Sequence, residues 1–216
     1  MSRTATGIMD IELAETTLEG DLRVPEGPEP PIGLVVFAHG SGSSRKSPRN
    51  NAVAEELREE GLATLLFDLL TEEEDVVREN RFDIPLLERR LVAVTDWVGD
   101  HEFVGDLDVG YFGASTGAAA ALRAAVERPA VVDAVVSRGG RVDMADEVLP
   151  EVAAGSLFVV GGEDDDVLEL NREAYDRLTC EKDLVVIPGA GHLFEGPGEL
   201  KAVSGLAAAW FCHYLD

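Results

Sequence analysis

The chain has 216 residues, is 45% hydrophobic, and carries a formal net charge of −24 from 42 Asp and Glu against 18 Lys and Arg. Length and hydrophobicity suit one domain, 1–216, with a substantial core, and exclude a disordered chain. The charge argues against nucleic acid and anionic membranes as partners, because both would be repelled.

Met9 to Leu13 alternates apolar and acidic residues, and Leu18 to Val24 places apolar residues at alternate positions. The pair predicts an antiparallel hairpin at a sheet edge. Pro25, Pro28, Pro30 and Pro31 make a turn-rich connection. Leu34 to Ala38 is continuously apolar, as a strand covered on both faces must be, and it runs into the flexible loop His39 to Ser44. A helix over Asn51 to Glu60 is stopped by Gly61, and Leu62 to Phe67 is the next buried strand. Thr71 to Arg81 is very acidic and reads as a surface connection. A helix starting near Asp83, with Pro85 in its first turn, carries apolar residues at Ile84, Leu87, Leu91, Val94 and Val98 and stops at Gly99.

Val109 to Phe112 is a strand and Gly117 to Glu127 a helix. Further strands are expected over Val131 to Val136, Ser156 to Val160 and Asp183 to Ile187. Helices are expected near Asp143 to Leu149, Val167 to Leu178 and Leu200 to Tyr214. Strands alternating with helices mean right-handed crossovers and an α/β fold: a mainly parallel sheet with helices on both faces, and little room for a lid domain. An active site on this sheet is expected to be open, or covered only by the acidic segment near residues 70–82.

Only three of the basic residues are lysines, Lys46, Lys182 and Lys201, which leaves 15 arginines. The negative charge is spread along the chain rather than gathered in a tail, and self-repulsion of this size calls for screening. A salt-rich cell is the expected source. No apolar run is long enough to span a membrane. The first thirty residues lack the basic and apolar regions of a signal peptide, so a cytoplasmic location is expected. Cys180 and Cys212 have no metal-like spacing and read as ordinary thiols.

The chemistry centres on Gly113-Ala114-Ser115-Thr116-Gly117, a G-x-S-x-G frame between a strand and an alanine-rich helix. This is the pattern of a nucleophile elbow, a turn sharp enough to stand the serine hydroxyl clear of the backbone. A serine needs a base, and an imidazole held by a carboxylate serves. On such a sheet the chain order is Ser, then Asp or Glu, then His. Only His192 and His213 follow Ser115. His213 lies in an apolar helix beside Trp210 and Phe211 and reads as structural, whereas His192 lies in a glycine-rich loop after the last strand. For the acid, Glu163, Asp164, Asp165 and Asp166 compete. Asp164 is preferred and Asp165 comes second, while Asp166 would also serve as a helix cap. The oxyanion hole requires two N–H groups, which fall to Thr116 and to Ser41 in His39-Gly40-Ser41-Gly42. That loop lacks the spacing and lysine of a phosphate-binding P-loop.

With His39-Gly40-Ser41-Gly42, the elbow, the G-x-x-D-x-x-V run from Gly161 to Val167, and Gly191-His192, the chain resembles the dienelactone hydrolase family of α/β-hydrolases over nearly its full length. The resemblance implies an α/β-hydrolase fold, supports Asp164 as acid and His192 as base, and calls for no metal or organic cofactor. The family's namesake enzymes use a cysteine nucleophile. Ser115 in its place disfavours dienelactone itself and favours a general ester, lactone or related acyl bond in a small molecule.

Two basic clusters fall at carboxyl ends of strands, where open α/β sheets bind ligands. One is Arg45, Lys46 and Arg49 after the oxyanion loop, and the other is Arg138 and Arg141 around Gly139-Gly140. With His39 and Gly40, residues Arg45, Arg138 and Arg141 are expected to contact substrate and to favour an anionic one, unless abundant carboxylates claim the arginines first. The rivals to hydrolysis are acyl transfer by the same residues and a non-catalytic binding module on the same fold. Oligomeric state is not legible.

Overall fold

The computed structural model describes residues 7–27 and 29–215, so Pro28 of the proline-rich connection lies outside the described residues. Eight strands form one sheet in the order β1-β2-β4-β3-β5-β6-β7-β8. The first two are β1 (Gly7–Glu12) and β2 (Thr17–Arg23), and β3 (Leu34–Ala38) and β4 (Ala63–Phe67) follow. The remaining four are β5 (Val109–Ala114), β6 (Val132–Arg138), β7 (Gly155–Gly161) and β8 (Lys182–Ile187). The β1–β2 and β2–β4 pairs are antiparallel and every other pair is parallel. The N-terminal hairpin therefore forms one edge, as expected.

Every residue of β3, β4, β5 and β7 is buried. Helices lie over both faces, so alternation has no solvent side to serve. On one face α1 (Pro48–Glu59) and α6 (Glu199–Tyr214) cover Val35, Phe37, Phe112 and Val136. On the other, α3 (Ile84–Gly99) and α4 (Thr116–Glu127) cover Val36, Tyr111 and Val135. Helix α4 buries Ala118 to Ala121, Ala124 and Ala125. Alanine favours the helix and has no bulk, which lets α4 sit against the sheet behind the elbow. Helix α5 (Asp165–Arg177) packs over β7 and β8 through Val167 and Leu168.

Two stretches depart from expectation. Within the acidic connection a short helix, α2 (Glu72–Val76), is set by a capping box. Thr71 Oγ1 accepts the Glu74 N–H at 3.2 Å, and Glu74 Oε2 accepts the Thr71 N–H at 3.0 Å. A 3-10 turn over Arg78–Phe82 follows, and no residue of either piece is buried. The helix expected near Asp143 to Leu149 is instead a 3-10 run over Val142–Glu151 that contains Pro150. Its bonds join residues three apart, as in Met144 N–H to the Arg141 carbonyl and Val152 N–H to that of Leu149. Pro150 has no N–H to extend an α-helical ladder.

Several surface arginines are taken up by carboxylates. Arg128 forks onto Asp96 at 2.7 Å, and Arg123 joins Glu88 of α3 to Glu147. No helix among the described residues is long and apolar enough to cross a membrane.

Candidate active site

Ser115 joins β5 to α4 with φ 50° and ψ −120°, a conformation a side-chain-bearing residue rarely adopts. Its backbone is tied on three sides. The N–H donates to the Arg138 carbonyl at 3.3 Å, and the carbonyl accepts the N–H groups of Ala118 at 3.1 Å and Arg141 at 3.0 Å. The turn also depends on Gly117, where a β-carbon would lie 2.1 Å from the Ala38 carbonyl oxygen. The elbow is thus wedged between the carboxyl ends of β3 and β6, with the serine partly exposed.

The residues expected as acid and base lie on adjoining loops. His192 Nδ1 lies 2.6 Å from Asp164 Oδ2. Asp164 occupies the N-cap position of α5, but its side chain makes no cap bond. Its carboxylate goes to the imidazole instead. Asp165 and Asp166, the alternatives, sit exposed in the first helical turn. There they interact favourably with the positive end of the helix. The two loops are fastened together by the Glu163 N–H on the Ala190 carbonyl and the Gly162 N–H on that of Ile187, each 2.9 Å. Gly161 makes this possible, because a β-carbon there would lie 2.4 Å from the Ala190 oxygen. The imidazole also rests on the turn that holds Ser115: a β-carbon at Gly139 would be 3.4 Å from His192 Nδ1, and the preceding carbonyl, Arg138, binds the Ser115 N–H.

The two expected oxyanion donors are neighbours. Thr116 opens α4, so its N–H is one of the donors that a helix leaves without an internal acceptor. The Ser41 N–H donates to Thr116 Oγ1 at 2.9 Å, which pins the loop after β3 to the elbow. The side chain of Thr116, 2% exposed, makes a contact that the sequence did not single out; its signal is a hydroxyl directly after Ser115. His39 and Gly40 shape this loop. The Leu69 N–H donates to His39 Nε2 at 3.0 Å, so the proton sits on Nδ1, which donates to the Gly40 carbonyl at 3.0 Å. With both ring nitrogens on backbone, His39 positions the loop and has no nitrogen left for substrate.

Burial holds His39 below its ordinary pKa of 6.5, so it is neutral in the fold. Because the folded value is lowered, the unfolded chain binds more protons in the window between the two. The contribution to stability is complete above about pH 6.5 and is lost as pH falls from there through the folded value. Denaturant unfolding followed across that window should show this loss, and His39→Asn should flatten it.

The expected substrate arginines divide. Arg45 pairs with Asp68 at 2.6 Å and with Glu19 at 2.6 Å, and Arg141 pairs with Asp143 at 2.8 Å. Arg138 meets no carboxylate among the described residues. No cluster of His, Cys, Asp and Glu among the described residues suits a metal ion.

No protein-family model matches the chain. It is 53% identical to a dienelactone hydrolase from Anabaena variabilis, covering 98% of each chain with a TM-score of 0.94. Est1E from Butyrivibrio proteoclasticus has the same fold at 19% identity (96% of this chain, 98% of that one, TM-score 0.83). So does XC6422 from Xanthomonas campestris, described as an α/β serine hydrolase without a lid (21% identity, 100% and 97%, TM-score 0.78). A Mycobacterium tuberculosis protein provisionally named a phosphoribosyl transferase is 55% identical over 196 residues, 91% of this chain. The chain spans 44% of that relative's length. Sequence and fold agree, and the chain belongs to the dienelactone hydrolase-like family of α/β-hydrolases.

Proposed function

We propose that the chain hydrolyses a small ester, lactone or related acyl bond through a Ser115–His192–Asp164 triad and an acyl-enzyme. The observation that carries this reading is the strained Ser115 on a turn that also supports the imidazole, with His192 Nδ1 2.6 Å from Asp164. With Nδ1–H donating to Asp164, Nε2 is left as the base. Ser115 Oγ attacks the acyl carbon while Nε2 takes the hydroxyl proton. The oxyanion accepts the Thr116 and Ser41 N–H groups. A charged oxygen outcompetes a neutral hydroxyl as an acceptor, so it can draw the Ser41 N–H from Thr116 Oγ1. Collapse expels the leaving alcohol, which receives the proton from Nε2. Water then repeats the sequence on the acyl-enzyme and frees the acid.

Hydrolysis is favoured over acyl transfer because the site is open: the His192 side chain is 39% exposed, so water reaches the base. The name of the M. tuberculosis relative is not carried over, since the matched region makes up 44% of that protein and the groups gathered here suit acyl chemistry. The charge of −24 supports a cytoplasmic protein working in concentrated salt. Stopped-flow mixing with activated 4-nitrophenyl esters in molar KCl tests the two-step course. The expected result is a burst of nitrophenol equal to the protein concentration, followed by slower turnover. Release without a burst across short acyl chains, with deacylation slowed by a bulkier acyl group, would count against an acyl-enzyme.

A further inference from the structure

Helix α5 buries Val167, Leu168, Asn171 and Ala174, so one amide lies on an otherwise apolar face. Asn171 is fully buried, at 0% exposure. Its Nδ2 donates to two backbone carbonyls, that of Val167 one turn back and that of Gly140, each at 2.8 Å. Its Oδ1 is sealed from solvent and has no donor among the described residues. Turning the amide over would aim the oxygen at both carbonyls, so its orientation is fixed. A buried acceptor left unpaired is costly, and leucine would fill the same helical position without that cost. Packing therefore does not explain the amide, and the bond to Val167 stays within the helix. What asparagine adds is the bond to Gly140, 31 residues away in the chain.

Gly140 is the middle of the turn that follows β6, and this turn reaches both Ser115 and His192. The Arg141 N–H donates to the Ser115 carbonyl at 3.0 Å, and the Arg138 carbonyl accepts the Ser115 N–H at 3.3 Å. Gly139, with φ 52°, lies against the imidazole. Gly140 is hemmed in, because a β-carbon there would lie 2.0 Å from Ser137 Oγ and 2.7 Å from the Ala118 β-carbon of α4. Asp164 occupies the N-cap of α5, two helical turns before Asn171 and so on the same side of the helix. One helix thus holds two pieces of the site. Asp164 holds His192 at 2.6 Å, and Asn171 holds the turn that is bonded to Ser115.

We propose that Asn171 is a positioning residue that fixes the His192–Asp164 pair relative to Ser115. The proposal rests on the triad reading of the same site. With the Gly140 bond in place, α5, the turn and the elbow keep one register. Without it the turn can shift away from α5, and the separation of Ser115 Oγ from His192 Nε2 shifts with it. Proton transfer is steeply sensitive to that separation. Asn171 is fully buried and touches no substrate, so the loss falls on kcat rather than KM.

Asn171→Ser tests this, because a helical serine can keep a bond to the carbonyl one turn back, here Val167, but is too short to reach Gly140. Hydrolysis of 4-nitrophenyl acetate in molar KCl, measured well below the melting temperature, should lose about tenfold or more in kcat with KM within about twofold. Asn171→Leu keeps the volume and removes both donor bonds. It should behave alike, and it carries the test if Asn171→Ser does not fold. Leu178→Ala is the stability control: Leu178 closes the far end of α5 and is 3% exposed. This change should lower the melting temperature and leave kcat within about twofold. Coupling gives the sharpest readout. Once His192 is removed there is no register left to hold, so adding Asn171→Ser to His192→Ala should cost little, whereas general structural damage would subtract again in full. An unchanged kcat in Asn171→Ser, an equal loss in Leu178→Ala, or full additivity with His192→Ala would each overturn the proposal. Any of these, with turnover still dependent on Ser115, would leave the triad reading standing. Turnover that does not depend on Ser115 would remove both.

Discussion

Ser115→Ala is expected to lower ester hydrolysis by about 10³-fold or more while leaving the fold intact. The hydroxyl is the proposed nucleophile, and the elbow's backbone bonds to Arg138, Ala118 and Arg141 do not involve it. In the proposed triad Ser115 and His192 act as one unit, so Ser115→Ala/His192→Ala should be little worse than either change alone. Ser115→Gly is the informative companion. At φ 50° a side chain is strained, and strain of this kind costs about 1–3 kcal/mol, which glycine removes in exchange for about 1 kcal/mol of added backbone freedom. The glycine variant should therefore be inactive yet at least as stable as the parent in thermal melts. A marked loss of stability would mean that the hydroxyl has a structural role.

Asp164→Asn should cost on the order of 10²–10⁴ in kcat with little change in melting temperature. Asparagine keeps the size but not the charge. It can also present its amide to Nδ1, which moves the imidazole proton to Nε2 and blocks it as a base. The neighbours supply the control. Asp165→Asn and Asp166→Asn remove exposed charges from the first turn of α5, worth about 0.3–1 kcal/mol of stability each, and should leave kcat within a few-fold. Comparable losses at all three positions would indicate a diffuse electrostatic effect rather than one orienting carboxylate.

Much of this fold was legible because its signals are local. Leu34 to Ala38 reads as a strand covered on both sides, and Gly113 to Gly117, between a strand and an alanine-rich run, reads as a sharp turn. The missed pieces are those where local signals compete. The acidic run after Thr71 reads as solvated charge, and it is solvated, but the Thr71–Glu74 reciprocal bonds wind it into a helix. Apolar spacing from Val142 to Leu149 suits an α-helix, and Pro150 turns it to a 3-10 run. At the site, residue types pointed to Ser115, His192 and an acid near Asp164. The acid run held four candidates, and only the approach of the His192 loop to Gly161 separates Asp164 from its neighbours.

Side-chain partners at a distance were least legible. His39 was expected at the substrate, yet the Leu69 N–H, thirty residues on, occupies its Nε2. Arg45, Arg138 and Arg141 look alike in an acidic sequence. Two find carboxylates within 2.6–2.8 Å, while the third ends β6 under α1 where none of the described residues supplies an acid.

The central claim is that Ser115 is a nucleophile activated by His192. Treatment of the full chain with a fluorophosphonate in molar KCl, with the adduct located by peptide mass spectrometry, tests it most directly. The account predicts one adduct per chain, on Ser115, with labelling strongly slowed in His192→Ala. Labelling elsewhere, labelling of Ser115 at the same rate without His192, or a folded chain that takes no label would contradict it.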